Sequence, residues 1–219
     1  MKRFVRTCVA PAIAVCLSLM VLASASAADA LISPPSPLDG RMKKLLADGN
    51  ASAGIVTAAK KVTFFCDVCH GANGSSVKTD VPNLAGQNPS YLLKQIDKFA
   101  RGQRQEKFME GLMKLLTEED RINVAIFYAN NVVKPAGSDT SLPGKALYIA
   151  RCVMCHQATG HGSETTPRLA GQQIEYLRKS ITRYRDRTGE RIFEPMSAST
   201  AGLNNAEITA LVTYLSSLK

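Results

Sequence analysis

Apolar and polar positions along this chain follow a helical rhythm, and no convincing period-2 stretch interrupts it. Two long blocks carry the pattern. In each, a helix leads into a cysteine-containing pentapeptide and a loop follows to a Pro-x-Leu-Ala-Gly-Gln segment. A further helix starts at Tyr91 or Tyr176, and after another loop a final helix starts at about Thr117 or Asn204. Thr117 with Asp120, and Asn204 with Glu207, have the spacing of capping pairs ahead of apolar runs. The pattern predicts an all-α protein.

The blocks are copies of each other. "VPNLAGQNPSYLLKQIDKFARGQR" at 81–104 matches "TPRLAGQQIEYLRKSITRYRDRTG" at 166–189, "CDVCH" at 66–70 matches "CVMCH" at 152–156, and "LTEED" from Leu116 matches "LNNAE" from Leu203. The offsets lie between 85 and 87 residues, which describes a tandem duplication with small insertions. The Pro, Gly and Ser of "NVVKPAGSDTSLPG" mark a linker, placed at 134–143 between a first domain at 52–133 and a second at 144–219. Ahead of them, residues 28–51 form an extension that starts Pro-rich and becomes a short basic amphipathic stretch without an assigned role.

The N-terminus has a different composition. Lys2, Arg3 and Arg6 precede an apolar run from Cys8 to Ala23, and small residues then offer an A-x-A site. Residues 1–27 read as a secretory signal peptide cleaved after Ala27. The apolar run falls short of the roughly 20 residues of a spanning helix. Val15 stands before Cys16 where a lipoprotein site would have a small residue. Export to the periplasm is the expectation. It removes Cys8 and Cys16, so the four remaining cysteines all lie in the two CxxCH motifs.

Four cysteines in an exported chain could form a disulfide framework, but vicinal pairs are poor staples and a histidine follows both times. Zinc wants four ligands and each motif offers three; pooling the cysteines would leave both histidines without a role. A thioredoxin-like site needs a strand and a parallel sheet, while these flanks read as helical. On a helix, Cys66, Cys69 and His70 share one face. Two thiols can then add to the two vinyl groups of a haem while the imidazole coordinates its iron. Cys152, Cys155 and His156 repeat the arrangement, giving two covalent haem c groups. Such a group also supplies buried surface that a copy of about 80 residues lacks.

A sixth iron ligand remains to be found. Met154 is locked between its cysteines, and His161 is only five residues past His156, so neither readily reaches the far face. Met196 precedes Leu203 by seven residues, as Met109 precedes Leu116; Met113 would pair with Thr200. A lone methionine is usually core filler. Two at equivalent places in two haem modules point to Met109 and Met196 as axial ligands, and a His/Met pair raises the reduction potential relative to bis-His.

Two CxxCH motifs, each followed by P-x-LAGQ-x-x-x-YL and a methionine before an L-S/T/N-x-x-D/E helix, resemble the dihaem cytochrome c4 family over roughly residues 52–219. The resemblance implies two class I cytochrome c folds facing each other about a pseudo-twofold axis, with His70 and Met109 on one iron and His156 and Met196 on the other. It also implies that Pro82 and Pro167 supply carbonyls that orient the histidines; loop stiffening is the alternative reading of these prolines. This sequence departs from the family in its longer extension, in Gln157 where a glycine usually follows CxxCH, and in lacking before Met109 the Pro-Met pairing seen at Pro195-Met196.

The implied function is one-electron transfer between respiratory redox partners, toward a terminal oxidase, without chemistry on a substrate. A dedicated electron-accepting subunit of a periplasmic dehydrogenase would use the same haem chemistry, with possible association to membrane complexes. A haem peroxidase needs an open iron position and polar groups above it, which three histidines do not furnish. After the leader is removed, 24 basic residues stand against 18 acidic, a net charge of +6. An exported haem protein gives no reason to expect nucleic acid as a partner. Arg178, Lys179, Arg183, Arg185, Arg187 and Arg191 read either as a solvated face or as a patch steering an acidic partner.

Overall fold

A computed structural model of the chain describes residues 35–48, 52–139, 141–189 and 193–219; the signal-peptide reading, Arg191 and most of the extension's Pro-rich start lie outside them. Ten α-helices and no strand occur among the described residues. The first module contains α1 (Asp39–Ala47), α2 (Ser52–His70), α3 (Pro89–Ala100), α4 (Lys107–Leu115) and α5 (Glu118–Ala129). The second contains α6 (Leu142–Arg151), α7 (Val153–His156), α8 (Ile174–Asp186), α9 (Glu194–Thr200) and α10 (Asn205–Ser217).

The caps form at both expected places. Thr117 Oγ1 accepts from the Asp120 N–H at 3.1 Å while the Asp120 carboxylate accepts from the Thr117 N–H at 3.1 Å. Asn204 and Glu207 exchange the same bonds at 2.9 and 2.8 Å. Each pair satisfies donors that a helix start leaves open, and replacing the cap with Ala typically costs about 1 kcal/mol.

Helical spacing then sets the cores. Leu92, Leu93, Ile96 and Phe99 bury one face of α3, and Ile208, Leu211, Val212 and Leu215 bury one face of α10. In the first module α5 packs on α2 and α3, and α3 also packs on α4; in the second α10 packs on α6 and α8, and α8 on α9. Gly144 allows the approach of α6 to α10: a Cβ there would meet the Ala210 carbonyl oxygen at 2.1 Å.

The extension acquires a structural role. Leu38 and Met42 are buried in the first core, the Ser36 hydroxyl donates to the Asp97 carboxylate, and Arg41 pairs with Glu118 at 2.7 Å. α1 therefore packs against α3 and α5, and its Lys43 reaches Glu164 of the second module at 2.6 Å. Met42 is 0% exposed and Leu46 43%. Met42→Ala is expected to destabilise the protein by roughly 2–5 kcal/mol and Leu46→Ala by well under half of that. Denaturant midpoints of the holoprotein check both; equal effects would contradict this packing of α1.

Candidate functional site

α2 ends on the first motif, with Cys66 and His70 buried and Cys69 half-buried. The chain turns at Gly71, φ +79°, where a Cβ would meet the Ser75 carbonyl oxygen at 2.2 Å. After the loop, the Pro82 carbonyl oxygen lies 2.8 Å from His70 Nδ1. A carbonyl only accepts, so Nδ1 carries the proton and Nε2 keeps its lone pair. Burial holds the His70 imidazole below the usual histidine range; the Pro82 carbonyl opposes this and Arg104 adds to it. The ring is thus neutral at pH 7 with one nitrogen free to ligate, the condition required of a metal-bound imidazole.

The second motif reaches the same end by a different path. α6 stops at Arg151, Cys152 breaks the helix at φ −120°, ψ −31°, and the single turn of α7 ends on His156. His156 is buried, its Nδ1 lies 3.0 Å from the Pro167 carbonyl, and burial holds its pKa below the usual range. Gln157 takes φ +64°, ψ 163°, a conformation that favours glycine, and the Tyr148 hydroxyl donates to its carbonyl at 2.5 Å. The turn made by Gly71 in the first module is therefore kept at Gln157 at a strain of order 1–3 kcal/mol.

The alternative cysteine chemistries lack support in this geometry. None of the four motif cysteines is paired in a disulfide. Among the described residues, no group of three or more His, Cys, Asp or Glu side chains could hold a metal ion, so the cysteines do not pool into a zinc site. Burial pushes the Cys66 thiol up and the Cys152 thiol up to about 11, opposite to the depressed thiol of a disulfide-exchange site. His161, the third histidine, is exposed and its Nε2 lies 2.8 Å from the Lys219 carbonyl. The donor set of two thiols and a neutral imidazole with Nε2 free fits covalent haem in both modules.

Met109 and Met196 each occupy the third position of equivalent helices, α4 and α9, and both are half-buried. Glu106 caps α4 by accepting from the Met109 N–H at 2.8 Å. Met113, 2% exposed, belongs to the first core and corresponds to buried Thr200. Helical register thus agrees with the repeat register.

Sequence reasoning missed a set of residues between the modules. Gln172 Oε1 accepts from the Asn83 N–H at 2.6 Å, and its Nε2 donates to the Asn83 carbonyl at 3.0 Å. Reciprocally, Gln87 Oε1 accepts from the Arg168 N–H at 2.7 Å and its Nε2 donates to the Arg168 carbonyl at 2.9 Å. Their neighbours cross too: Asn88 Nδ2 donates to the Thr166 carbonyl at 2.8 Å, and Gln173 Nε2 to the Ser76 carbonyl at 2.6 Å. The signal was the polar pair ending both LAGQ segments, "QN" and "QQ".

The basic run is mostly compensated within the chain. Arg178 pairs with Glu175, Lys179 with Asp80, Arg185 with Asp186, and Arg187 bidentately with Glu194 at 2.5 and 2.9 Å. Arg183 is exposed. The solvated-face reading fits this geometry better than a free cationic patch.

Comparison with known proteins agrees with this architecture. Residues 141–219 match the cytochrome c family. The chain is 33% identical over 186 residues to cytochrome c4 of Pseudomonas aeruginosa, covering 78% of this chain and 90% of that protein. It is 32% identical over 149 residues to a thiosulfate dehydrogenase electron acceptor of Thiomonas intermedia, covering 60% of this chain and 66% of that protein. The crystal structure of reduced recombinant cytochrome c4 from Pseudomonas stutzeri superposes with a TM-score of 0.68 at 27% identity, covering 74% of this chain and 97% of that one.

The three methionines separate by readout. Met109→Ala and Met196→Ala are each expected to remove part of the weak red-end sulfur-to-iron absorption of the oxidised holoprotein and to lower one potential. Met113→Ala is expected to keep both and instead lose roughly 2–5 kcal/mol of stability. Absorption lost with Met113 rather than Met109 would show the register to be wrong.

Proposed function

The chain belongs to the cytochrome c4 family, and from this we propose that it works in the periplasm as a carrier of single electrons between respiratory partners, toward a terminal oxidase. It is an electron-transfer protein, not an enzyme, and carries two covalent haem c groups. We assign their attachment to Cys66 and Cys69 in one module and to Cys152 and Cys155 in the other. Axial ligation falls to His70 with Met109 and to His156 with Met196. When bound, each haem supplies an iron that accepts and releases one electron. The domain division at 52–133, 134–143 and 144–219, and the leader at 1–27, belong to the same proposal.

One observation carries the ligand assignment: both motif histidines are buried, neutral and held by a proline carbonyl at Nδ1. That bond fixes the tautomer and ring plane and raises the basicity of Nε2. Met109 and Met196, half-buried at equivalent positions of their helices, support their assignment as the second ligand in each module. Periplasmic work is supported by the leader pattern, and no described helix is long and apolar enough to cross a membrane.

A dedicated acceptor subunit is the second reading, favoured by the similarity to a thiosulfate dehydrogenase electron acceptor. Kinetics separates the two. A diffusing carrier, reduced and mixed with membranes containing a terminal oxidase, is expected to be oxidised in a bimolecular step that slows as salt rises. Arg183→Glu is expected to leave that rate unchanged, because the surrounding run is compensated. Co-purification with a dehydrogenase and a unimolecular, salt-insensitive step would overturn the carrier reading.

A further inference from the structure

The C=O of Pro82 and the N–H of Asn83 belong to one peptide group. On one side its carbonyl accepts from His70 Nδ1 at 2.8 Å, and on the other its N–H donates to Gln172 Oε1 at 2.6 Å. The peptide group of Pro167 and Arg168 is held the same way, between His156 Nδ1 at 3.0 Å and Gln87 Oε1 at 2.7 Å. Each motif histidine is therefore connected, through a single peptide group, to a glutamine of the other module.

We propose that Gln172 and Gln87 are positioning residues that tune the reduction potentials crosswise, Gln172 acting on the haem site of His70 and Gln87 on that of His156. Hydrogen bonds in a chain polarise one another in a low-dielectric interior. When the N–H donates, its amide shifts electron density to the carbonyl oxygen, which strengthens the bond from Nδ1–H. A more strongly bonded Nδ1–H makes Nε2 a better donor, and a better donor favours ferric iron and lowers the potential.

The amides are built to stay in place. Both glutamines are buried, 6% exposed each. Their orientation follows from chemistry, since Oε1 must face the N–H and Nε2 the carbonyl of the same residue. Each Oε1 also accepts from the next backbone N–H, at 2.9 Å from Gln173 and 3.0 Å from Asn88. A merely adhesive contact would not need to fall on the peptide that holds the histidine. Here it does so twice, reciprocally, which also gives each module a readout of whether its partner is docked.

This inference rests on His70 and His156 being the iron ligands, and its test reads the histidines apart from the irons. In the reduced holoprotein, Gln172→Met is expected to move the His70 Nδ1–H proton resonance upfield and leave that of His156 in place; Gln87→Met is expected to do the reverse. Redox titration is expected to show a rise in the matching potential, with the first module's wave identified by its response to Met109→Ala. Gln172→Glu keeps an acceptor oxygen and is expected to bring the His70 resonance back toward wild type. Asn88→Ala, which removes two bonds between the modules, to the Thr166 and His161 carbonyls, without touching either peptide, is expected to move neither resonance nor potential. Resonances that stay fixed, that move together, or that respond equally to Asn88→Ala would overturn the crosswise tuning. Resonances that move crosswise while both potentials stay fixed would overturn the ligand assignment beneath it.

Discussion

The structure depends on one bond made twice, from a buried histidine Nδ1–H to a proline carbonyl. An imidazole in an apolar interior must be neutral and must satisfy its N–H, and the carbonyl does both while leaving Nε2 unprotonated. The surrounding features serve that requirement. The turn at Gly71 or Gln157 reverses the chain, the loop carries the proline back, and α5 packs against the helix that bears the first motif while α10 packs against the helix that leads into the second. In the second module the requirement is met despite a broken helix and a strained glutamine.

The same loops join the two modules. The residue after each proline is bracketed by a glutamine from the other module, so the contact between modules falls on the peptide groups that accept from the motif histidines. Further bonds support it, including Lys43 with Glu164, Lys179 with Asp80, and the Tyr176 N–H with the Thr79 carbonyl at 3.0 Å. Exposed ion pairs of this kind contribute little each. The buried amide pairs, whose polar groups have no water to fall back on, contribute more to the fixed geometry.

Much of this was legible in the residues. CxxCH names its chemistry locally, the repeat aligns the two copies, and Thr117 with Asp120 or Asn204 with Glu207 announce helix starts because capping acts within a single turn. The repeat also selected Met109 over Met113, and the helical positions agree. What could not be read depends on which distant residues meet. A repeat states that Gln87 corresponds to Gln172, but not that each reaches across to the other copy. Leu38 and Met42 gave no sign of entering the first core, since a short amphipathic stretch is silent about what it covers. The basic run allowed both a solvated face and a patch, because one of its counterions, Asp80, lies far away along the chain and could not be paired with it from the sequence.

The central claim is that two buried His–Pro pairs hold two closed, six-coordinate haems that exchange electrons and bind nothing. Carbon monoxide added to the reduced holoprotein, followed by optical titration, tests it most directly. The account predicts two electrons taken up per chain in one-electron steps and no carbon monoxide spectrum at neutral pH. Uptake of a single electron, or stoichiometric carbon monoxide binding at either site, would contradict it.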